Sequence, residues 1–176
     1  MSKWVAITVL GQDRPGIVAG ITKVLYDHGC NLEDSSAMRL RDAFAMILIA
    51  QLPAEPDLHG LCDSLGQAAK ALAVSVDLRD LGGQAPVPPP EGRHCSLAVY
   101  GADQPGIVYH VAEELSQLDC NIVDVTTHSA GPVYLMLLEM IVPPDTSDED
   151  IEAQLERLRA QLKVDITLRR DDSETL

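Results

Sequence analysis

The chain carries one long segment twice, at an offset of 90 residues and without insertion. Residues 11–18 read GQDRPGIV, and residues 101–108 read GADQPGIV. The same offset aligns the pair Cys30 and Asn31 with the Cys-Asn pair at 120–121. A fixed period of this length indicates one supersecondary unit that is built twice. Function is therefore to be sought at positions that both copies keep and at positions where they differ.

Each copy predicts the same order of strands and helices. In the first copy, alternating or continuous apolar runs predict strands at 5–10, 31–39, 44–52 and 74–79. The helix after the Asp-x-Pro-Gly turn has its apolar stripe at Ile17, Val18, Ile21, Val24 and Leu25. A second helix, after Pro53, has its stripe at Leu58, Leu61, Leu65, Ala68 and Leu72.

The order β-α-β-β-α-β predicts an α+β fold of the ferredoxin-like class. Right-handed crossovers give a four-stranded antiparallel sheet with two helices on one face. We expect two such domains, at residues 1–80 and 94–170. A Pro/Gly-rich linker at 81–93 joins them, and an acidic tail follows at 171–176. Each domain would have a marginal core, so packing of the copies on each other, or on a second chain as in a homodimer, is expected.

The net charge of −14 is unevenly distributed. Residues 1–80 carry seven Lys and Arg against ten Asp and Glu, whereas residues 94–176 carry five against sixteen. Phosphate backbones repel an acidic surface, so we expect no direct nucleic-acid binding. A basic protein is the more natural partner of the second half. The alternative is that the carboxylates at 145–152 begin a helix, where they suit its dipole and face water.

No pattern typical of membrane insertion, catalysis or metal binding occurs. No apolar run approaches the length of a membrane span, and the first residues do not read as a signal peptide, so a cytoplasmic protein is expected. The four cysteines have no metal-like spacing, and Cys30 and Cys120 should fill the same small slot in their copies. Without a nucleophile motif or a tuned acid–base pair, we expect no enzyme activity, cofactor or metal.

The Asp-x-Pro-Gly turn is the main candidate for a ligand site. Unpaired N–H groups at the following helix start can receive an anion such as an α-carboxylate. Pro15 has a φ angle suited to the first helical turn, and Gly16 would let backbone approach closely. Asp13 either caps this helix or accepts hydrogen bonds from an α-ammonium group. The equivalent residues in the second copy are Asp103, Pro105 and Gly106.

Three further polar positions are candidates for ligand contacts. The amides of Asn31 and Asn121 supply both a donor and an acceptor, which suits a zwitterion, although each could instead serve the turn after the first helix. Arg14 could clamp a carboxylate, or it could simply be exposed. The second copy has Gln104 at this position, so any two sites should differ.

These motifs resemble the tandem ACT-domain proteins, and the resemblance covers residues 4–80 and 94–170. It implies two ferredoxin-like ACT domains and a regulatory, non-catalytic protein. In ACT domains that bind amino acids, the ligand lies where domains meet. It contacts the residue before x-Pro-Gly and the Asn that opens the second strand. Carried onto this chain, these residues are Asp13 and Asn31 in the first copy, and Asp103 and Asn121 in the second.

Within that family, the length and the run at 10–18 are most similar to the transcriptional repressors of the glycine cleavage system. This resemblance implies a small amino acid, glycine or serine, as the ligand. It also implies a protein partner, the DNA-binding transcriptional activator of the same system. The alternative is a structural adaptor, or a free regulatory subunit of an amino-acid biosynthetic enzyme, without a metabolite site of its own.

Overall fold

The computed structural model describes residues 3–83 and 90–170. The chain divides into two compact units, Met1–Val87 and Pro88–Leu176. The first unit contains β1 (Trp4–Gln12), α1 (Ile17–Asp27), β2 (Asn31–Leu40), β3 (Ala43–Gln51), α2 (Leu58–Leu72) and β4 (Val74–Gly82). The second contains β5 (Arg93–Ala102), α3 (Ile107–Gln117), β6 (Asn121–Ala130), β7 (Val133–Val142), α4 (Asp148–Leu162) and β8 (Asp165–Arg170).

Strands extend into both ends of the range that was predicted as a linker. β4 continues through Gly82, and β5 begins at Arg93. Residues 84–89 of the predicted linker lie outside the described residues, as does the predicted tail at 171–176.

Each unit is built on a four-stranded antiparallel sheet. The strand orders are β2-β3-β1-β4 and β6-β7-β5-β8, so the last strand of each unit lies at one edge and the second strand at the other. The registers repeat at the same offset as the sequence, since Ile7 lies opposite Leu48 and Leu97 lies opposite Leu138. The predicted β-α-β-β-α-β order and the α+β fold class are confirmed.

One face of each sheet packs against its two helices. Along β1, Val5, Ile7 and Val9 are buried while the residues between them are more exposed, as expected when helices cover one face of a sheet. The helices contribute Ile17, Ile21, Leu25, Leu61 and Leu65 to the first core. The second core repeats the pattern with Ile107, Val111, Leu115, Ile151, Leu155, Leu158 and Leu162. Each unit thus has a hydrophobic core of its own.

Two details of the helical stripes differ from the prediction. Val18 is 47% exposed, because it lies about 100° round the helix from the line of Ile17, Ile21 and Leu25 that faces the sheet. In α2 the buried position is Ala69, whereas Ala68 is only half-buried. Within the described residues, no helix is long and apolar enough to cross a membrane.

The cysteines occupy different environments. Cys30 and Cys120 fill equivalent positions, and each thiol donates to the backbone carbonyl two residues earlier. Burial raises the pKa of both thiols. Cys62, on α2, is exposed, whereas Cys95 is buried.

We therefore expect one fast-reacting thiol per folded chain. Thiolates are the reactive species, so the raised pKa and the burial of Cys120, and the raised pKa and partial burial of Cys30, should slow their reaction. A colorimetric disulfide reagent at pH 7.5 should modify Cys62 first, and Cys62→Ser should remove the fast phase. A fast phase that survives this substitution would contradict the burial of Cys95 and Cys120 and the partial burial of Cys30.

Candidate functional site

The motif turn, residues 13–16 in the first unit and 103–106 in the second, connects the first strand to the first helix. α1 begins at Ile17, and Gly16 is its N-cap residue with φ 95° and ψ −10°. Gly106 has φ 96° and ψ −4° before α3. These angles match the second central position of a type II turn, in which Pro15 takes the first. Pro15 therefore precedes the helix, and its predicted place in the first helical turn is wrong.

The reason for glycine in this turn also differs from the prediction. A Cβ atom at Gly16 would have no neighbour within 4 Å, so no close approach of backbone requires this glycine. Its positive φ does require it, because side chains disfavour that conformation. At Gly106 the nearest atom to such a Cβ would be Cδ2 of His110, at 3.4 Å.

The first helix of each unit has no side-chain cap, whereas the second helix has one. Asp57 accepts a hydrogen bond from the N–H of Gly60 in α2, and Ser147 accepts one from the N–H of Asp150 in α4. The alternative that Asp13 caps α1 is therefore wrong. The first-turn N–H groups of α1 and α3 remain available to an external acceptor.

In the first unit, Asp13 is held by the turn between β2 and β3. Its N–H donates to the carbonyl of Asp42 at 2.7 Å. Its carboxylate Oδ2 lies 3.1 Å from Nε of Arg39, near the end of β2. This partially exposed ion pair balances the charge beside the uncapped helix.

The second unit keeps this arrangement but changes the partner of the carboxylate. The N–H of Asp103 donates to the carbonyl of Pro132 at 3.0 Å. The hydroxyl of Ser129, the repeat equivalent of Arg39, donates to Oδ2 of Asp103 at 2.7 Å. Because a hydroxyl carries no charge, Ser129 does not offset the charge of Asp103 as Arg39 offsets that of Asp13. Neither Arg39 nor Ser129 was among the site residues predicted from the sequence.

Arg14 and Gln104 both tie the motif turn to the second helix. Nη2 of Arg14 donates to the carbonyl of Ala71 at 3.0 Å, and Nε2 of Gln104 donates to the carbonyl of Leu162. A cation suits this place, because the C-terminal carbonyls of a helix are partially negative. The guanidinium of Arg14 is thus engaged with α2, which argues against its role as a carboxylate clamp.

A cavity of about 530 Å³ lies at the first motif turn, and we call it the turn cavity. It is lined by Asp13, Arg14, Pro15, Gly16, Ile17, Val18, Ala19 and Phe44. The structure thus brings four of the predicted site residues together at one surface. Its volume falls within the range of small-molecule sites in proteins.

The two asparagines lie far from the motif turns of their own units. Asn31 is level with Trp4 at the start of β1, because both lie opposite Gln51. The motif turn follows the other end of β1, eight residue steps away, which corresponds to about 27 Å. Asn121 is placed in the same way in the second unit, opposite Ile141. Neither unit alone brings its asparagine to its aspartate. Among the described residues, no group of His, Cys, Asp and Glu could hold a metal ion.

A family model matches both repeats, and sequence relatives each match part of the chain. A model of the ACT domain matches residues 3–79 and again residues 97–169. A UPF0237 protein of Methanopyrus kandleri is 46% identical over 71 residues, which are 40% of this chain and 79% of that protein. The glycine cleavage system transcriptional repressor of Escherichia coli is 46% identical over 46 residues, 26% of this chain and 24% of the repressor.

Two solved structures match nearly the whole chain. An unknown protein from Galdieria sulphuraria has a TM-score of 0.79 at 27% identity, over 97% of this chain and 99% of that one. A protein provisionally named as a glycine cleavage system transcriptional repressor has a TM-score of 0.75, over 97% and 98%. Its 14% identity shows a shared fold alone. With both repeats matched, this chain belongs to the ACT domain family and contains two copies of the domain.

Proposed function

We propose that this chain is a non-catalytic regulatory protein that senses a small amino acid at its motif turns. The observation that carries the proposal is the contrast between the helices of each unit. The second helix is capped by a side chain, whereas the first helix, at the motif turn, is not. The α-carboxylate of a ligand would accept hydrogen bonds from the first-turn N–H groups of α1 or α3. Its α-ammonium would meet Asp13 or Asp103.

The second motif turn should bind the ammonium group more tightly than the first. Arg39 offsets the charge of Asp13, and a ligand would have to compete with this ion pair. Asp103 receives only the hydroxyl of Ser129, so its carboxylate attracts a cation without opposition from a guanidinium. The two turns would then respond at different ligand concentrations.

The asparagines would complete a site only from another unit. Since Asn31 lies about 30 Å from Asp13 along its own sheet, it can contact a ligand at a motif turn only from a separate unit, such as one in a second copy of the chain. Ligand binding would then favour one arrangement of units over another by its differential affinity, and coupling of this kind is typically about 1–3 kcal/mol.

The regulated process that we propose is transcription of the glycine cleavage system, with glycine preferred over serine as the ligand. The support is the named relative from Escherichia coli and the acidity of residues 94–176. That acidity suits a basic protein, such as a DNA-binding transcriptional activator in the cytoplasm, better than DNA itself. A structural adaptor without a ligand is the second candidate, and the Arg39–Asp13 ion pair favours it because it occupies one of the two acceptors.

Calorimetric titration of the full chain with glycine, then with serine and the other amino acids, tests the proposal. We expect Asp103→Asn to weaken glycine binding by about 10- to 100-fold, because a charge-assisted hydrogen bond is lost. Asp13→Asn should weaken binding at the first motif turn, which is the site of lower affinity. Asp57→Asn is the matched control, since Asn caps a helix as well as Asp does and this residue lies in neither motif turn.

Two results would contradict the sensor. The first is that the folded wild-type chain binds no amino acid at millimolar concentration, which would favour the adaptor. The second is that the double variant Asp13→Asn and Asp103→Asn binds glycine as tightly as the wild type does, which would place the ligand elsewhere.

A further inference from the structure

The face of the first sheet opposite its helices is exposed, and we call it the open face. Its centre is largely apolar, whereas its two edge strands carry polar and charged residues. On the central strands β1 and β3 it presents Ala6, Thr8, Leu10, Ala45, Ile47 and Ile49, by alternation with the buried residues. Leu10 is 56% exposed and Ile47 is 52% exposed, and Met38 on β2 adds a further apolar side chain at 47%. Exposed apolar patches of this kind mark interaction surfaces.

One row across the open face ends in opposite charges. Asp34 on β2 lies opposite Ile49, Ile49 lies opposite Ala6, and Ala6 lies opposite Arg79 on β4. Side chains directly opposite one another point to the same face of a sheet. The two charged residues are three strand spacings apart, about 14 Å. Among the described residues, neither charged side chain has a hydrogen bond or an ion pair.

We propose that the open face of the first sheet packs face to face on the same face of a second copy of this chain. The two-fold axis would lie between the sheets, parallel to the strands and midway between β1 and β3. This rotation places β2 over β4 of the partner. Asp34 then meets the partner's Arg79, and Arg79 meets the partner's Asp34, so that one surface supplies both ion pairs.

The same rotation matches the sizes of the central side chains. It places β3 over β1 of the partner, so that Ile49 faces the partner's Ala6 and Ala45 faces the partner's Leu10. Sheets that pack face to face lie about 10 Å apart and require such alternation of large and small side chains. The charged ends of this row and the apolar centre of the open face are thus complementary to themselves. Asp77, on the edge strand β4 opposite Thr8, faces the partner's Ser36, whose hydroxyl can donate to it.

The area is sufficient for a specific dimer. Four strands about 4.8 Å apart and about eight residues long cover about 500 Å² in projection. Accessible area exceeds projected area, so two copies would bury more than about 1,000 Å², which is the lower bound expected of a specific interface.

The second sheet provides an internal comparison that disfavours the same packing there. Its equivalent row reads Asp124, Glu139, Ser96 and Arg169, so a carboxylate and a hydroxyl replace the isoleucine and alanine of the first sheet. Self-packing would bury Glu139 without a cationic partner, which is costly. These residues line a cavity of about 580 Å³ on that face. Self-association is therefore assigned to the first sheet.

Sedimentation velocity of the full chain over a range of concentrations tests the interface. The wild type should show a concentration-dependent dimer. Asp34→Arg and Arg79→Asp should each raise the dimer dissociation constant by at least about tenfold, because each places like charges opposite one another at two symmetric positions. The double variant Asp34→Arg with Arg79→Asp should recover the dimer, since the pairs are restored with reversed sign.

Two further variants use the repeat as a control. Ile49→Glu gives the first unit the residue that the second unit has at the equivalent position, Glu139. The variant should therefore fold, but it should not form the dimer. Asp124→Arg makes the same charge change on the second sheet and should leave the dimer unchanged. Far-UV circular dichroism checks that each variant is folded.

Three outcomes would overturn the proposal. The first is that the wild type remains a monomer up to about 100 μM. The second is that Asp124→Arg weakens the dimer as much as Asp34→Arg does. The third is that the double charge-reversal variant is folded but stays monomeric. Dimer formation through the open face is separate from ligand binding. No open-face residue lines the turn cavity, and the two-fold axis leaves Asn31 of each copy level with the start of β1, far from both motif turns. Loss of glycine binding and loss of the dimer are therefore separate results.

Discussion

Ile7→Ala is expected to lower the free energy of unfolding of the first unit by about 2–5 kcal/mol. Ile7 is fully buried at the centre of β1, where it lies opposite Leu48 and beneath the two helices. The truncation removes three carbon atoms and leaves a cavity that the surrounding strands can fill only partly. A unit of about 80 residues has a total stability of only a few kcal/mol, so the loss is large enough to unfold it.

The matched substitution Leu97→Ala should do the same to the second unit, because Leu97 occupies the equivalent buried position. The only tryptophan of the chain, Trp4, lies in β1, so its fluorescence reports the first unit alone. Ile7→Ala should shift the denaturant midpoint of Trp4 emission, whereas Leu97→Ala should shift only part of the circular dichroism transition. An equal shift of Trp4 emission by both variants would show that the two cores unfold together.

Most of the fold follows from short-range patterns in the sequence. Alternation along β1 and helical spacing in α1 each depend on neighbouring residues, and the repeat shows every pattern twice. The errors arise where a pattern allows two answers. Val18 fits a helical stripe by spacing, but only the orientation of α1 against the sheet decides that the stripe follows Ile17 and Ile21.

The site was less predictable because its contacts join distant parts of the chain. Pro15 and Gly16 are compatible both with a helix start and with a type II turn, and only the positive φ of Gly16 distinguishes them. Arg39 meets Asp13 because the turn between β2 and β3 lies beside the end of β1, which requires the sheet order. The separation of Asn31 from Asp13 was not predicted, although a strand parallel to β1 starts level with the start of β1 in the predicted fold.

Substitution of the glycine that opens the motif is expected to have the second large effect on stability. In Gly11→Ala, the new Cβ would lie 2.6 Å from Cγ1 of Val74 and 3.1 Å from its Cα, where β1 and β4 pair. The side chain can move, but the backbone cannot move without disturbing the sheet, so we expect a loss of about 1–3 kcal/mol. Gly101→Ala should have the same effect, because its new Cβ would lie 2.7 Å from Cγ1 of Val164.

Gly66→Ala is the control of opposite sign. Gly66 is exposed on α2 with no atom within 4 Å of a new Cβ, so alanine there should stabilise the first unit by about 0.5–1 kcal/mol through its helix propensity. The double variant Gly11→Ala with Val74→Ala should recover only part of the loss, because the contact with the Cα of residue 74 remains. The denaturant midpoint of Trp4 emission gives the change in stability for all three of these variants. If Gly11→Ala stabilised the unit as Gly66→Ala does, β1 and β4 would be farther apart than the structure has them. The glycine that both repeats keep would then require a different explanation, such as contact with a ligand at the adjacent turn.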